Sequence, residues 1–86
     1  MQKKTTALER VQSYVRNTNK MLSYDMLSVA KKRCRENGIY LIAVFFDTNI
    51  VYPNLIDCMC SHTSTIFYGI TKKNGKICIL LKDEND

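Results

Sequence analysis

Three residues within five positions hold the most evident potential for chemistry. Cys58, Cys60 and His62 bring together two of the four thiols and the single imidazole of the chain. Thiolate and imidazole are the usual ligands of structural zinc, which takes them as close pairs from two separate places in a chain. Here the spacing is Cys-x-Cys, one residue short of the common knuckle, and Cys34 and Cys78 each stand alone. A zinc site would need Cys58, Cys60, His62 and one of those remote cysteines. A thioredoxin-type redox pair needs Cys-x-x-Cys at a helix N-terminus, and neither is present. Thiol nucleophiles need a positioned base and a group that orients it, and nothing in the sequence sets His62 against either sulfur. The expectation is therefore no metal and no cofactor, with small, half-buried thiols in a connector.

A second stretch offers different chemistry. Val44-Phe-Phe-Asp-Thr-Asn-Ile-Val51 is a hydrophobic strand ending in Asp-Thr-Asn and followed by Ile-Val. It resembles the opening of PIN-domain ribonucleases. The resemblance implies that Asp47 is a metal ligand and that Asn49 orients its surroundings, which gives one alternative: a metal-dependent ribonuclease-like fragment around Asp47. It covers about ten residues. Two expected helices precede this strand, whereas the family begins with it, and Pro53 falls where the family has a helix. Metal-dependent hydrolysis needs several convergent carboxylates, and beyond Asp47 only Asp57 and the terminal acids follow. Asp-Thr-Asn is also ordinary turn chemistry.

The third candidate is electrostatic. Residues 1–35 hold nine Lys and Arg against Glu9 and Asp25, a net of +7, while residues 36–86 hold four against six, a net of −2. Arg10, Arg16 and Lys20 in one segment and Lys31, Lys32, Arg33 and Arg35 in the next form the candidate binding surface for a partner or a nucleic acid. Clustered Lys and Arg are the footprint of phosphate-backbone or acidic-surface contact. A helix-turn-helix reader would also need a third helix, which the pattern lacks. An RNA-stacking platform has few aromatics available: Phe67, and Tyr40 if it is exposed.

These residues must be carried by secondary structure, and the pattern predicts an α+β fold. Thr6-Ala-Leu-Glu9 has the form of a capping box. Leu8, Val11, Tyr14, Val15, Thr18 and Leu22 then recur at helical spacing, with Arg10, Arg16 and Lys20 off that stripe. A fray or break falls at Asn17-Thr-Asn19. Ser23 is placed to cap a second helix with Asp25 in its first turn, an inner face of Met26, Leu27, Ala30 and Cys34, and Asn37-Gly38 as its stop. Ile39 to Phe46 is apolar on both faces. Such a strand is central in its sheet or has its second face covered by a partner, which admits a homodimer. Residues 50–64 are open between a short helix starting at Pro53 and an irregular loop. Thr65–Thr71 and Lys76–Lys82 flank Asn74-Gly75, a strong hairpin signal. The implied register pairs Ile70 with Ile79 and Tyr68 with Leu81. That would put Ile66, Tyr68, Ile70, Ile77, Ile79 and Leu81 on one core face, with Cys78 away from it.

The expected architecture is two N-terminal amphipathic helices packed on one face of a small, mostly antiparallel sheet of three to four strands ending in a β-hairpin. All 86 residues form one α+β domain with a short acidic tail at 83–86. No apolar run approaches a membrane span and no export signal is visible, so four reduced thiols in a cytoplasmic protein are expected. Three glycines and the absence of a Gly-rich loop argue against nucleotide cradling. Ile, Lys, Asn, Tyr and Phe supply 32 of 86 residues, the bias of an AT-rich gene. The functional expectation is a small, basic, non-enzymatic binding module, an accessory protein of a phage or mobile element. It would act stoichiometrically by docking on a host protein or nucleoprotein complex, for example as an inhibitor of a host defence system. The alternative class is a DNA- or RNA-binding protein using the same basic face.

Overall fold

The computed structural model describes residues 6–22, 26–33, 38–46 and 53–84. The elements run α1 (Ala7–Leu22), β1 (Met26–Arg33), β2 (Tyr40–Phe46), α2 (Pro53–Thr63), β3 (Thr65–Lys73) and β4 (Lys76–Asp83). The four strands form one antiparallel sheet in the order β1-β2-β4-β3. The fold is α+β.

Helix α1 begins at the capping box. The Thr6 N–H donates to Glu9 Oε1 at 3.1 Å, and the Glu9 N–H donates back to Thr6 Oγ1 at 3.1 Å. The reciprocal bonds satisfy two of the donors that a helix start leaves open. The helix passes through Asn17-Thr-Asn19 without a break. Ala7, Val11, Val15 and Thr18 are buried, with Leu8 and Tyr14 packed at the margin.

The second N-terminal helix is not observed. Met26–Arg33 is a strand paired antiparallel with β2, Arg33 opposite Tyr40 and Val29 opposite Val44. Two local signals admit both readings. Asn-Gly ends helices, but it is also a strong hairpin signal, and Gly38 at φ +68° here stands between two paired strands. Met26, Leu27, Val29 and Ala30 satisfy either period over so short a run. The arbiter is tertiary: β2 is apolar on both faces and needs a hydrogen-bonded neighbour on each edge. β1 and β4 supply them. The proposed caps Ser23 and Asp25, and Cys34, Arg35 and Asn37, lie outside the described residues.

The second helix comes later, and Pro53 opens it as its first residue, where its missing N–H costs nothing. Leu55, Ile56 and Met59 are buried along it. They meet Val11 and Val15 of α1 above Ile42, Val44, Phe46, Ile77, Ile79 and Leu81 of the sheet, in one apolar cluster. Both helices thus lie on one face, α1 towards β1 and α2 towards β3. Each fully buried large side chain in such a cluster contributes about 1.5–3 kcal/mol.

The terminal hairpin turns through Asn74 (φ +55°) and Gly75 (φ +77°), with Lys73 opposite Lys76. Two successive positive φ values define the tight turn whose twist matches antiparallel strands. Ile70 pairs with Ile79 as the turn dictates, but Leu81 faces Phe67 and not Tyr68, because an extra residue is accommodated between Phe67 and Gly69. Ile77, Ile79 and Leu81 enter the core, whereas Ile66, Tyr68 and Ile70 remain exposed. Cys78, on the opposite side of β4 from Ile79, is buried as well. Asp83 belongs to the end of β4 rather than to a tail.

Candidate interaction surfaces

The Cys–His stretch is helical, which decides its geometry. Cys58 and Cys60 are two residues apart on α2, so their Cβ vectors diverge by roughly half a turn. Cys58 and His62 are exposed, and Cys60 is half-buried against the core. His62 Nδ1 lies 2.8 Å from the Cys58 carbonyl oxygen. A carbonyl only accepts, so Nδ1 carries the proton and the ring bonds the backbone of Cys58 rather than its sulfur. The other face of the ring meets Tyr14 of α1 at a centroid distance of 5.6 Å. Among the described residues no three His, Cys, Asp or Glu side chains converge as a metal-holding group. Burial pushes the Cys60 thiol above its ordinary range. A hydrogen bond with Thr65 opposes that shift, and the charge of Asp57 adds to it. A thiol held protonated is a poor nucleophile and a poor ligand. Asp47 and Asn49 lie outside the described residues.

The basic residues part company. Arg10 is internal to the architecture: its Nε–H donates to the Thr63 carbonyl at 2.7 Å, and its Nη2 sits 3.3 Å from Asp83 Oδ1. It therefore ties α1 to the last turn of α2, where a cation also suits the helix dipole, and to the end of β4. Helical spacing alone set Arg10 off the apolar stripe; its partners are 53 and 73 residues away, beyond any local signal. Arg16 and Lys20 are exposed on α1. Lys31, Lys32 and Arg33 lie on β1, an edge strand against which α1 packs. Strand β1 is thus a neighbour of α1 in the fold. Tyr40, 47% exposed, is the register partner of Arg33.

Sequence reasoning missed one surface, the opposite edge. Ile66, Phe67, Tyr68 and Ile70 of β3 are 50%, 44%, 46% and 43% exposed. The signal was present in the run Ile-Phe-Tyr-Gly-Ile, but alternation assigned three of its members to the core.

Near the β3 end of α2, Thr63 Oγ1 donates to the Met59 carbonyl at 2.6 Å and lies 2.9 Å from Thr65 Oγ1. With its one proton committed to Met59, Thr63 accepts from Thr65. Ser64 between them has φ +55°, and its carbonyl accepts from the Glu84 N–H at 3.0 Å. The helix end and the start of β3 are thus fixed together.

These features define a two-layer α+β protein with exposed Arg16 and Lys20 on α1 and an apolar outer strand at β3. No known protein family, curated protein or solved structure matches the chain. Among the described residues no helix is long and apolar enough to cross a membrane.

Proposed function

We propose that the protein is a non-enzymatic binding module that docks stoichiometrically, through the side formed by α1 and β1, on an acidic surface of another macromolecule. The observation that carries this reading is the placement of exposed Arg16 and Lys20 on α1 beside the strand bearing Lys31, Lys32 and Arg33. Among the described residues the acidic ones are Glu9, Asp57, Asp83 and Glu84, of which Glu9 alone belongs to α1 or β1. Concentrated positive charge steers association with an anionic partner. The partner we favour is a host protein or nucleoprotein complex met in the cytoplasm, with the protein acting as an accessory of a phage or mobile element, for example as an inhibitor of a host defence system. The compositional bias of an AT-rich gene supports that setting.

A second reading is direct DNA or RNA binding on the same side. Exposed Tyr40, on the strand next to β1, favours it, because an exposed aromatic can stack an unpaired base. One experiment separates the two: affinity capture from host lysate with and without nuclease digestion. A defined protein retained after digestion, and lost with Arg16→Glu/Lys20→Glu, supports the protein partner. Material lost on digestion, with affinity for mixed-sequence DNA or RNA that falls steeply with salt, supports the nucleic-acid reading. Capture indifferent to Arg16→Glu/Lys20→Glu refutes both.

A further inference from the structure

The two edges of the sheet differ in what they expose: each has a register irregularity, and β3 carries Lys72 and Lys73 near its turn, but β3 also carries a run of large exposed apolar residues. Every open sheet exposes a row of unpaired N–H and C=O groups on each outer strand, and proteins that stay apart guard those rows with charge, bulges or brevity. β1 carries Lys31, Lys32 and Arg33 and a register irregularity between Met26 and Ser28. β3 is nine residues long and carries Ile66, Phe67, Tyr68 and Ile70 at between two-fifths and half of full exposure. Phe67 and Ile70, opposite Leu81 and Ile79, share one face of the strand and Ile66, opposite Lys82, lies on the other, so the edge presents apolar side chains on both faces, on the order of 400 Å² in all.

We propose that β3 pairs antiparallel with β3 of a second copy of this chain, joining two four-stranded sheets across a two-fold axis near Ile70. The proposal does not rest on the docking role assigned to α1 and β1.

The register follows from the faces. Ile70 and Lys72 lie opposite Ile79 and Ile77, so they belong to the face that bears the helices; Gly69 and Thr71, opposite Leu80 and Cys78, belong to the other. An axis at Ile70 sets Ile70 against its own copy and Gly69 against Thr71, each pair on a matching face, and brings Tyr68, the residue inserted between Phe67 and Gly69, to the level of Lys72. Tyr68 against Lys72 puts an ammonium beside an aromatic ring, and Ile70 against Ile70 buries the most central apolar residue of the edge.

The ends of the strand decide its direction. The turn end carries Lys72 and Lys76, and the other end abuts Asp83 and Glu84 through the Thr65–Asp83 pair and the bond between the Glu84 N–H and the Ser64 carbonyl. Antiparallel pairing brings the basic end of each copy to the acidic end of its partner, twice by symmetry; parallel pairing would set like against like. Assembly stops at two, because the remaining outer strand is the basic β1, and two such edges repel. The apolar area is about half of what a stable interface buries per partner, so the dimer is weak, with a Kd in the micromolar range.

Sedimentation velocity of the full chain between about 5 and about 500 µM tests this, the range bracketing that affinity. The expected result is a monomer shifting to a dimer with no larger species. A monomer throughout, which would leave β3 for a foreign strand, overturns the proposal, as does open-ended assembly. Ile70→Lys, at an exposed position, should give a monomer at every concentration with an unchanged far-UV spectrum and unchanged capture of the basic-side partner. A positive readout is independent of that variant. In a Cys58→Ser background, Ile70→Cys should form an intermolecular disulfide on mild oxidation, since residues opposed at the axis lie within bridging distance. Ile66→Cys, equally exposed but set against the turn of the other copy, should not. Equal cross-linking at both positions would overturn the register.

Discussion

Arg10 shows how a single side chain can change its meaning between sequence and structure. Its charge suggests a binding residue, but its Nε–H is 2.7 Å from the Thr63 carbonyl and its guanidinium is 3.3 Å from Asp83. Replacement by Met keeps much of the stem and removes the bonds. Because hydrogen bonds to charged groups contribute about 1.5–3 kcal/mol, Arg10→Met should lower unfolding free energy by roughly that amount. Urea denaturation measures it, and an unchanged midpoint would mean that the tie is not formed. Cys60 makes a second case at this scale. Burial raises its thiol pKa, so the folded protein holds that proton more tightly than the unfolded chain does. The stability this confers is full below the unfolded thiol pKa and is lost as pH rises through the folded value. Alkaline stability should therefore fall less steeply in Cys60→Ala than in the wild type above the ordinary thiol range. In native protein, iodoacetamide should modify the exposed Cys58 well before Cys60.

At the scale of elements, legibility followed how local each signal was. The capping box, the apolar stripe of α1 and the Asn74-Gly75 turn each act within a few residues, and each appears where the sequence put it. β1 did not, because its Met, Leu, Val and Ala fit a helix as readily as a strand; what settles the matter is its pairing with β2, across the intervening loop. The exposure of Tyr68 was hidden by one inserted residue, since an extra residue reverses the alternation on which face assignment rests. For the candidate surfaces the same divide holds. The basic residues could be named from sequence, but that Arg10 leaves the group and that Ile70 is solvent-facing depend on contacts made across the fold. The α2–β3 junction supplies an expected outcome of its own. Ser64 adopts φ +55° where glycine is the usual helix terminator, and its side chain is exposed. Relief of the steric cost of a left-handed non-glycine residue exceeds the extra entropy glycine brings to the unfolded chain. Ser64→Gly should raise stability by about 0.5–1 kcal/mol. A lower melting temperature in that variant would show that the hydroxyl of Ser64 matters more than the backbone.

For the molecule as a whole, the proposed docking side at α1 and β1 and the exposed apolar strand β3 lie at opposite edges of the sheet. On the two proposals, pairing through β3 would leave α1 and β1 at the outer ends, so that self-association and docking would use separate surfaces. That separation can be tested at constant net charge. Arg16→Glu/Lys20→Glu changes the formal charge of +5 by four units, to +1. Lys72→Glu/Lys76→Glu makes the same change at the β3 end of the sheet. If net charge alone drove association, the two double variants would behave alike. If docking and pairing use the surfaces proposed, the two should differ. The α1 variant should lose partner capture at least ten-fold at low salt, show little salt dependence in what remains, and dimerise as the wild type does. The β3 variant should keep partner capture within a few-fold. It should also dimerise more weakly than the wild type, because each glutamate now faces the Asp83–Glu84 end of the other copy. Parallel titrations, partner capture by surface binding and dimerisation by sedimentation, read both properties for both variants. Equal losses in the two would mean that location on the fold does not matter, and would dissolve the division between a docking side and a pairing edge.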